Sequence, residues 1–378
     1  MDFLRLAPAL VATLFMGCGN RSDNYPADDA LRVNQLQALG SHNSYHIEAA
    51  PPLMAGLRAF ASDIAASLEY THAPLATQFD RLGIRQIELD IFADPAGGLY
   101  ANPVGETLGG VRVSDRPEMH APGFKVLHVQ DIDYDSCCFT LIICLNEVRD
   151  WSLAHPGHAP MLVLIEAKDD ELPEVGLNFV VPIRIGKAEL DALDAEIRQV
   201  FSDEEMLTPD EVRGDYATLG EAISTEGWPT LGEARGRVIF ALDNGGRVKD
   251  DYVAGHPSLK GRVLFVAASP GEPEAAFAKL NDPINDVAAI RAALAAGMIV
   301  RTRADADTVQ GRNGDTTQRE AALASGAQFV STDYPEADPD FGSGYSVVIP
   351  GGTPARCNLL TAPADCRAQD IENPDKLS

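Results

Sequence analysis

Seven side chains able to do chemistry fall at four places in the first half of the chain: His42 with Asn43, Glu88 with Asp90, His128, and Glu166 with Lys168. Three carboxylates and an amide oxygen gathered at one point repel each other unless a cation sits among them. An all-oxygen donor set selects a hard ion such as Ca²⁺ over zinc. Two imidazoles beside that ion suit acid and base work, because imidazole titrates nearest neutral pH. Lys168 would supply charge for an anionic group. Taken singly, each has a plainer reading: an Asn after a strand is a turn residue, a strand-end His is hydrogen-bonded structure, and a Glu with an Asp is a solvated rim. Their joint occurrence points to a site.

The spacing says what must position them. Short β-rich runs recur near residues 34–39, 84–91, 124–129, 161–166, 237–242, 263–267, 298–303 and 328–332, and helical patterns intervene at 74–82, 140–154, 187–201, 288–296 and 317–324. Eight alternations predict a (β/α)8 TIM barrel, in which working residues stand at the C-terminal ends of strands. Residues two apart on a strand share a face, so Glu88 and Asp90 enter the mouth together, as do Glu166 and Lys168. Arg301 and Arg303 share a face in the same way and are candidates for gripping substrate phosphate or ring hydroxyls. A doubly wound sheet would advertise a Gly-rich phosphate loop, and neither G-x-G-x-x-G nor G-x-x-x-x-G-K-[ST] occurs. Residues 243–261 are too polar for a good helix, so one outer helix is expected to be degenerate. Within them, Asp243 and Asn244 read as a turn. Residues 336–378 read as an irregular C-terminal cap, and His46, His72, His120, His155, His158 and His256 as structural or exposed.

Thirty basic against 56 acidic residues give a net charge of −26, which excludes binding to nucleic acid through a general basic surface. The apolar run from Leu6 to Met16 is too short to span a bilayer and suits a secretory signal. It ends in Leu14-Phe15-Met16-Gly17-Cys18, which resembles a bacterial lipobox. The expectation is a signal over 1–17, a lipidated Cys18, a polar tether over 18–34, and a protein exported to the cell envelope as a lipoprotein, or secreted. The remaining cysteines are odd in number, so one thiol is left over. Cys357 with Cys366, and Cys144 with Cys137 or Cys138, are the pairs considered.

Ser-His-Asn-Ser-Tyr at 41–45, Gly83-Ile84-Arg85-Gln86-Ile87-Glu88-Leu89-Asp90 and Val126-Leu127-His128 resemble, in order, the first-histidine, Glu-x-Asp and second-histidine segments of the calcium-dependent phosphatidylinositol-specific phospholipases C, the bacterial phospholipase C1-like branch above all. The segment around Glu166 resembles that family's last calcium carboxylate. The resemblance implies Asn43, Glu88, Asp90 and Glu166 as Ca²⁺ ligands and His42 and His128 as catalytic histidines, within a barrel over 35–335. Residues 300–305 and 330–335 resemble the last two strands of the wider superfamily that includes the glycerophosphodiester phosphodiesterases. Lys168, two after Glu166, resembles that side of it, whereas His42-Asn43 departs from its His-Arg.

The resemblance implies cleavage of phosphatidylinositol or a related inositol phosphodiester by attack of the inositol 2-hydroxyl on phosphorus, giving a cyclic inositol phosphate and diacylglycerol. The alternatives are a glycerophosphodiesterase and, in another class, a lipoprotein that binds calcium or a phosphorylated sugar without turnover. A monomer is expected, meeting a membrane surface through its lipid anchor or transiently.

Overall fold

The computed structural model describes residues 25–110 and 116–376. Cys18 and the signal segment lie outside them. Ten strands form one sheet: β1 (Leu36–Ser41), β2 (Ile84–Phe92), β3 (Lys125–Val126), β4 (Met161–Ala167), β5 (Val238–Leu242), β6 (Phe265–Val266), β7 (Phe277–Lys279), β8 (Ile299–Arg303), β9 (Phe329–Thr332) and β10 (Ala355–Cys357). Eight of them run parallel in the order β6-β5-β4-β2-β1-β9-β8-β7. A parallel bridge between Ala267 and Phe277 closes the ends into a barrel. Helices such as Leu75–Arg81, Leu141–Ala154, Lys187–Val200, Val287–Ala295 and Thr317–Ala324 lie between strands. Thr140 caps the second of these by accepting from Ile143 N.

The barrel has the expected number of strands but not the expected set. The run at 124–129 does not join the parallel barrel. Its β3 pairs antiparallel with the end of β2, with Ile91 opposite Val126, because a two-residue strand leaving a loop can only extend an existing edge. The eighth barrel strand is β7, three residues hidden in an Ala-rich stretch. The polar segment 243–261 does hold a helix, Gly246–Val253, which needs little apolar surface since Val248 and Tyr252 are its buried residues. Among the described residues the missing outer helix lies between β6 and β7 instead.

Strand periodicity places the mouth residues. In β2, Ile87, Leu89 and Ile91 alternate with Gln86, Glu88 and Asp90, and β4 pairs beside it with Asp90 opposite Glu166. Gly40 makes room at the centre of the barrel: a Cβ there would lie 1.9 Å from Gln86 Oε1.

Residues 25–34, expected in a tether, are packed against the far end of the barrel. Tyr25, Leu31 and Val33 are buried, and Asp28 accepts from Arg235 Nε at 2.9 Å. The C-terminal segment returns there as well. β10 pairs antiparallel with β1, and buried Glu372 accepts from Arg85 Nε at 3.0 Å and from Ala159 N at 2.8 Å. Cys357 is paired with Cys366 and Cys138 with Cys144, leaving Cys137 as the free thiol among the described residues.

Candidate active site

The turn after β1 carries the first pair of residues. Asn43 takes a left-handed backbone, φ 45°, which Asn tolerates better than most residues. The turn is lashed to β2 by Ser44 N donating to Glu88 O at 3.0 Å and Glu88 N donating to Ser44 Oγ at 2.9 Å. Asn43 Nδ2 donates to Tyr70 Oη at 3.0 Å, while its buried Oδ1 accepts no hydrogen bond.

Glu88, Asp90 and Glu166 each bring a carboxylate oxygen within 4.8 Å of the others. Burial raises Glu88 to about 8, against the pull of Arg301, and raises Asp90 to about 7, against Lys168. The neighbouring carboxylates push the same way. Asp90 Oδ1 and Oδ2 accept no hydrogen bond, although Lys168 Nζ stands 3.3 Å from Oδ2. Unpartnered buried oxygens are rare in proteins. Orphans on Asn43 and Asp90, beside two more carboxylates, are what a hard cation would satisfy, so the donors fit Ca²⁺. His46, His128 and Asp133 also stand at metal-compatible spacing. There, however, the facing atoms are hydrogen-bonded to one another.

The two predicted histidines are each held by an aspartate. His42 Nδ1 lies 2.7 Å from Asp333 Oδ1, and its Nε2 takes a hydrogen bond from Arg303 Nη1 at 3.2 Å while standing 4.0 Å from Glu88 Oε1. A carboxylate only accepts, so the proton of the neutral ring sits on Nδ1. Burial and the Arg303 charge lower His42 to about 3, outweighing Asp333. Burial alone would raise Asp333, but His42 and Arg303 hold it well below the carboxylate range. Behind it, Asp305 accepts from Asp333 N at 2.8 Å.

His128 comes from the loop after β3, not from a barrel strand end. Its Nδ1 donates to Asp133 Oδ2 at 2.6 Å. Asp133 also binds His46, which stacks on Tyr70 with ring centroids 4.3 Å apart; through Tyr70 the second histidine is tied to Asn43.

The predicted basic residues all reach the mouth. Lys168 Nζ bridges Asp90 and Glu166, Arg301 donates to Glu88 and to Asn281 Oδ1, and Arg303 donates to Asp333 Oδ2 at 3.0 Å. Asn244 braces the end of β4 through both polar atoms of its amide, and Asp243 pairs with Lys279. Sequence reasoning assigned no role to Asp133 or Asp333 and read His46 as structural or exposed; it is buried and braces Asp133. The barrel rule could have found Asp333, which directly follows β9. Asp133 and His46 carry no such signal.

The family model described as phosphoinositide phospholipase C, Ca²⁺-dependent, matches residues 31–359. The chain belongs to that family. Calcium is the family's cofactor, and the oxygen donors around Asp90 fit it. Among solved structures, the family fold is found in a calcium-dependent phosphoinositol-specific phospholipase C from a Gram-negative Pseudomonas species. Its apo form is 16% identical with a TM-score of 0.52, covering 89% of this chain and 99% of that one. Its myoinositol complex has a TM-score of 0.51 at 16% identity, covering 90% of this chain and 100% of that one. A Ca²⁺-dependent phosphatidylinositol-specific phospholipase C from Streptomyces antibioticus is 19% identical, with a TM-score of 0.50, covering 84% and 99%. At such identities the likeness concerns the fold. No curated protein sequence matches.

Proposed function

We propose that this phospholipase C family member cleaves phosphatidylinositol, or a related inositol phosphodiester, by attack of the inositol 2-hydroxyl on phosphorus. The products are a cyclic inositol phosphate and diacylglycerol. The observation that carries the reading is a pair of Asp-held histidines at an all-oxygen cluster: two proton-handling groups have a use where one hydroxyl is activated and another oxygen must leave.

Asn43, Glu88, Asp90 and Glu166 would hold Ca²⁺. When bound, the ion lowers the pKa of a ligated hydroxyl and offsets charge at the phosphoryl oxygens. His42, neutral with its proton on Nδ1, takes the 2-hydroxyl proton at Nε2, and Asp333 stabilises the imidazolium that forms. Arg303, now donating to that lone pair, turns to the phosphate. As the phosphorus–oxygen bond to diacylglycerol breaks, His128, entering the step as an imidazolium with Nδ1 on Asp133, gives its Nε2 proton to the departing oxygen and is left neutral, while Asp133 keeps the ring oriented. Arg301 stays on Glu88 and Asn281 and orients the carboxylate.

Exposed apolar side chains on the short helices and loops that follow the C-terminal ends of strands support contact with a lipid surface. Phe60 is 80% and Ile64 57% exposed after β1, with Leu108 after β2 and Val181 after β4. Such a rim offsets the repulsion between a strongly acidic protein and anionic lipid. Among the described residues no helix is long and apolar enough to cross a membrane. A lipid on Cys18 is the proposed anchor, for an exported protein.

³¹P NMR of the protein with phosphatidylinositol, in Ca²⁺ and then in EGTA, tests the reaction. A calcium-dependent cyclic inositol phosphate signal is expected. The Glu166-x-Lys168 spacing keeps the glycerophosphodiesterase as the second reading. Hydrolysis of glycerophosphoinositol or glycerophosphocholine, without action on the lipid, would establish it, and silence on all three would favour a binding protein.

A further inference from the structure

Lys168 follows β4 directly, and its ammonium nitrogen lies 3.3 Å from Asp90 Oδ2 and 3.3 Å from Glu166 Oε2. It therefore stands among the oxygens assigned above to calcium. The other cations nearby are differently placed. Arg301 is 1% exposed and fixed at both ends of its guanidinium, on Glu88 and Asn281, and Lys279 is paired with Asp243. The Lys168 ammonium is paired with these two carboxylates, and its side chain is 23% exposed, on a flexible four-carbon stem.

We propose that Lys168 is a tethered counter-ion that competes with calcium for Asp90 and Glu166 and, once displaced, passes to the phosphate of the substrate. An ammonium and a dication cannot share two carboxylates at this distance without strong repulsion, so one must leave as the other enters. The displaced ammonium is left unpaired, and an anionic phosphate beside the metal supplies a new partner. Metal and phosphate then bind with positive linkage, each raising the other's affinity by the same factor. Lys168 thereby ties calcium uptake to the arrival of substrate. This inference rests on the calcium reading of the Glu88–Asp90–Glu166 cluster.

Calcium binding by the full chain, followed by isothermal titration calorimetry with and without inositol 1-phosphate, tests it without reference to turnover. Lys168→Met is expected to bind Ca²⁺ at least about tenfold more tightly than wild type in the absence of the phosphate, as removal of a competing charge at ion-pair distance requires. Inositol 1-phosphate should tighten calcium binding several-fold in wild type and by a clearly smaller factor in the variant, where only the direct attraction between ion and phosphate remains. Lys279→Met, which removes the same charge from Asp243, should gain much less. Unchanged or weaker calcium binding in Lys168→Met overturns the inference, as does an equal gain in both variants or an undiminished phosphate effect. Lys168→Gln provides the same test should the Met variant fold poorly. If wild type and both Lys168 variants bind no calcium, the assignment of the cluster to the metal falls, and the inference with it.

Discussion

His46 turns both ring nitrogens onto oxygens, Nδ1 to Tyr70 O at 3.0 Å and Nε2 to Asp133 Oδ2 at 2.9 Å. A backbone carbonyl and a carboxylate both lack protons to give, so the ring carries two and is an imidazolium. Its pKa is raised accordingly: burial would lower it, and the Asp133 and Tyr70 oxygens overcome that. The charge of Asp133 is thereby shared between His46 and His128. Asp133→Asn should leave both rings misoriented and lower kcat by about 10²-fold or more, with calcium affinity retained. Kinetics on phosphatidylinositol vesicles beside calorimetry with Ca²⁺ would show the split, and equal losses in both would contradict it.

His128→Ala removes the proposed proton donor itself. It should lose about 10²- to 10⁴-fold in rate and still bind calcium. A substrate whose leaving group needs no proton, such as a nitrophenyl phosphodiester of inositol, should recover much of the loss. An unchanged rate on the lipid would sink the assignment.

Asn43 contributes the unpartnered Oδ1 of the cluster. Asn43→Ala removes one oxygen donor without changing charge, and calcium affinity should fall about tenfold or more. Tyr70 loses the Nδ2 donor too, so circular dichroism should accompany the titration. Retained affinity would place the metal elsewhere.

Glu196 lies away from the mouth, where its Oε2 accepts from Phe124 N at 3.2 Å and its Oε1 is buried without a partner. Burial raises it from 4.5 to about 7, against that hydrogen bond and Lys125. The unfolded chain releases this proton near pH 4.5 and the folded chain near 7, so stability falls as pH rises between the two. The loss is on the order of 3 kcal/mol and is complete above pH 7. Glu196→Gln should match wild type near pH 4 and exceed it at pH 8. Urea unfolding at the two pH values measures the difference, and equal stability at pH 8 would refute it.

Legibility from sequence followed the reach of each signal. The period of two in β2 and β4 put Glu88, Asp90, Glu166 and Lys168 at one mouth, and the pattern survives because each strand is continuous and buried. The run at 124–129 has the same apolar look, but nothing local distinguishes a barrel strand from a short edge strand. Conversely, three residues at β7 are too few for any periodicity to register. The partners of the two histidines were hidden for another reason. His42 meets Asp333 across 291 positions, a contact made by the closure of the barrel and not by any local motif. Asp133 is five residues from His128, yet it is the shape of the loop that turns the carboxylate onto the ring.

Arg85 and Glu372 are both fully buried and 287 positions apart. A buried charge stripped of its partner costs about 3–5 kcal/mol. During synthesis, then, Arg85 emerges from the ribosome long before the group that neutralises it. The far end of the barrel cannot lock until Glu372 is available, and a chain that stops short of it should stay open and susceptible to proteases there. Pulse-chase proteolysis of chains stalled before and after Glu372 would time the event, with resistance expected to arise once Glu372 can reach Arg85.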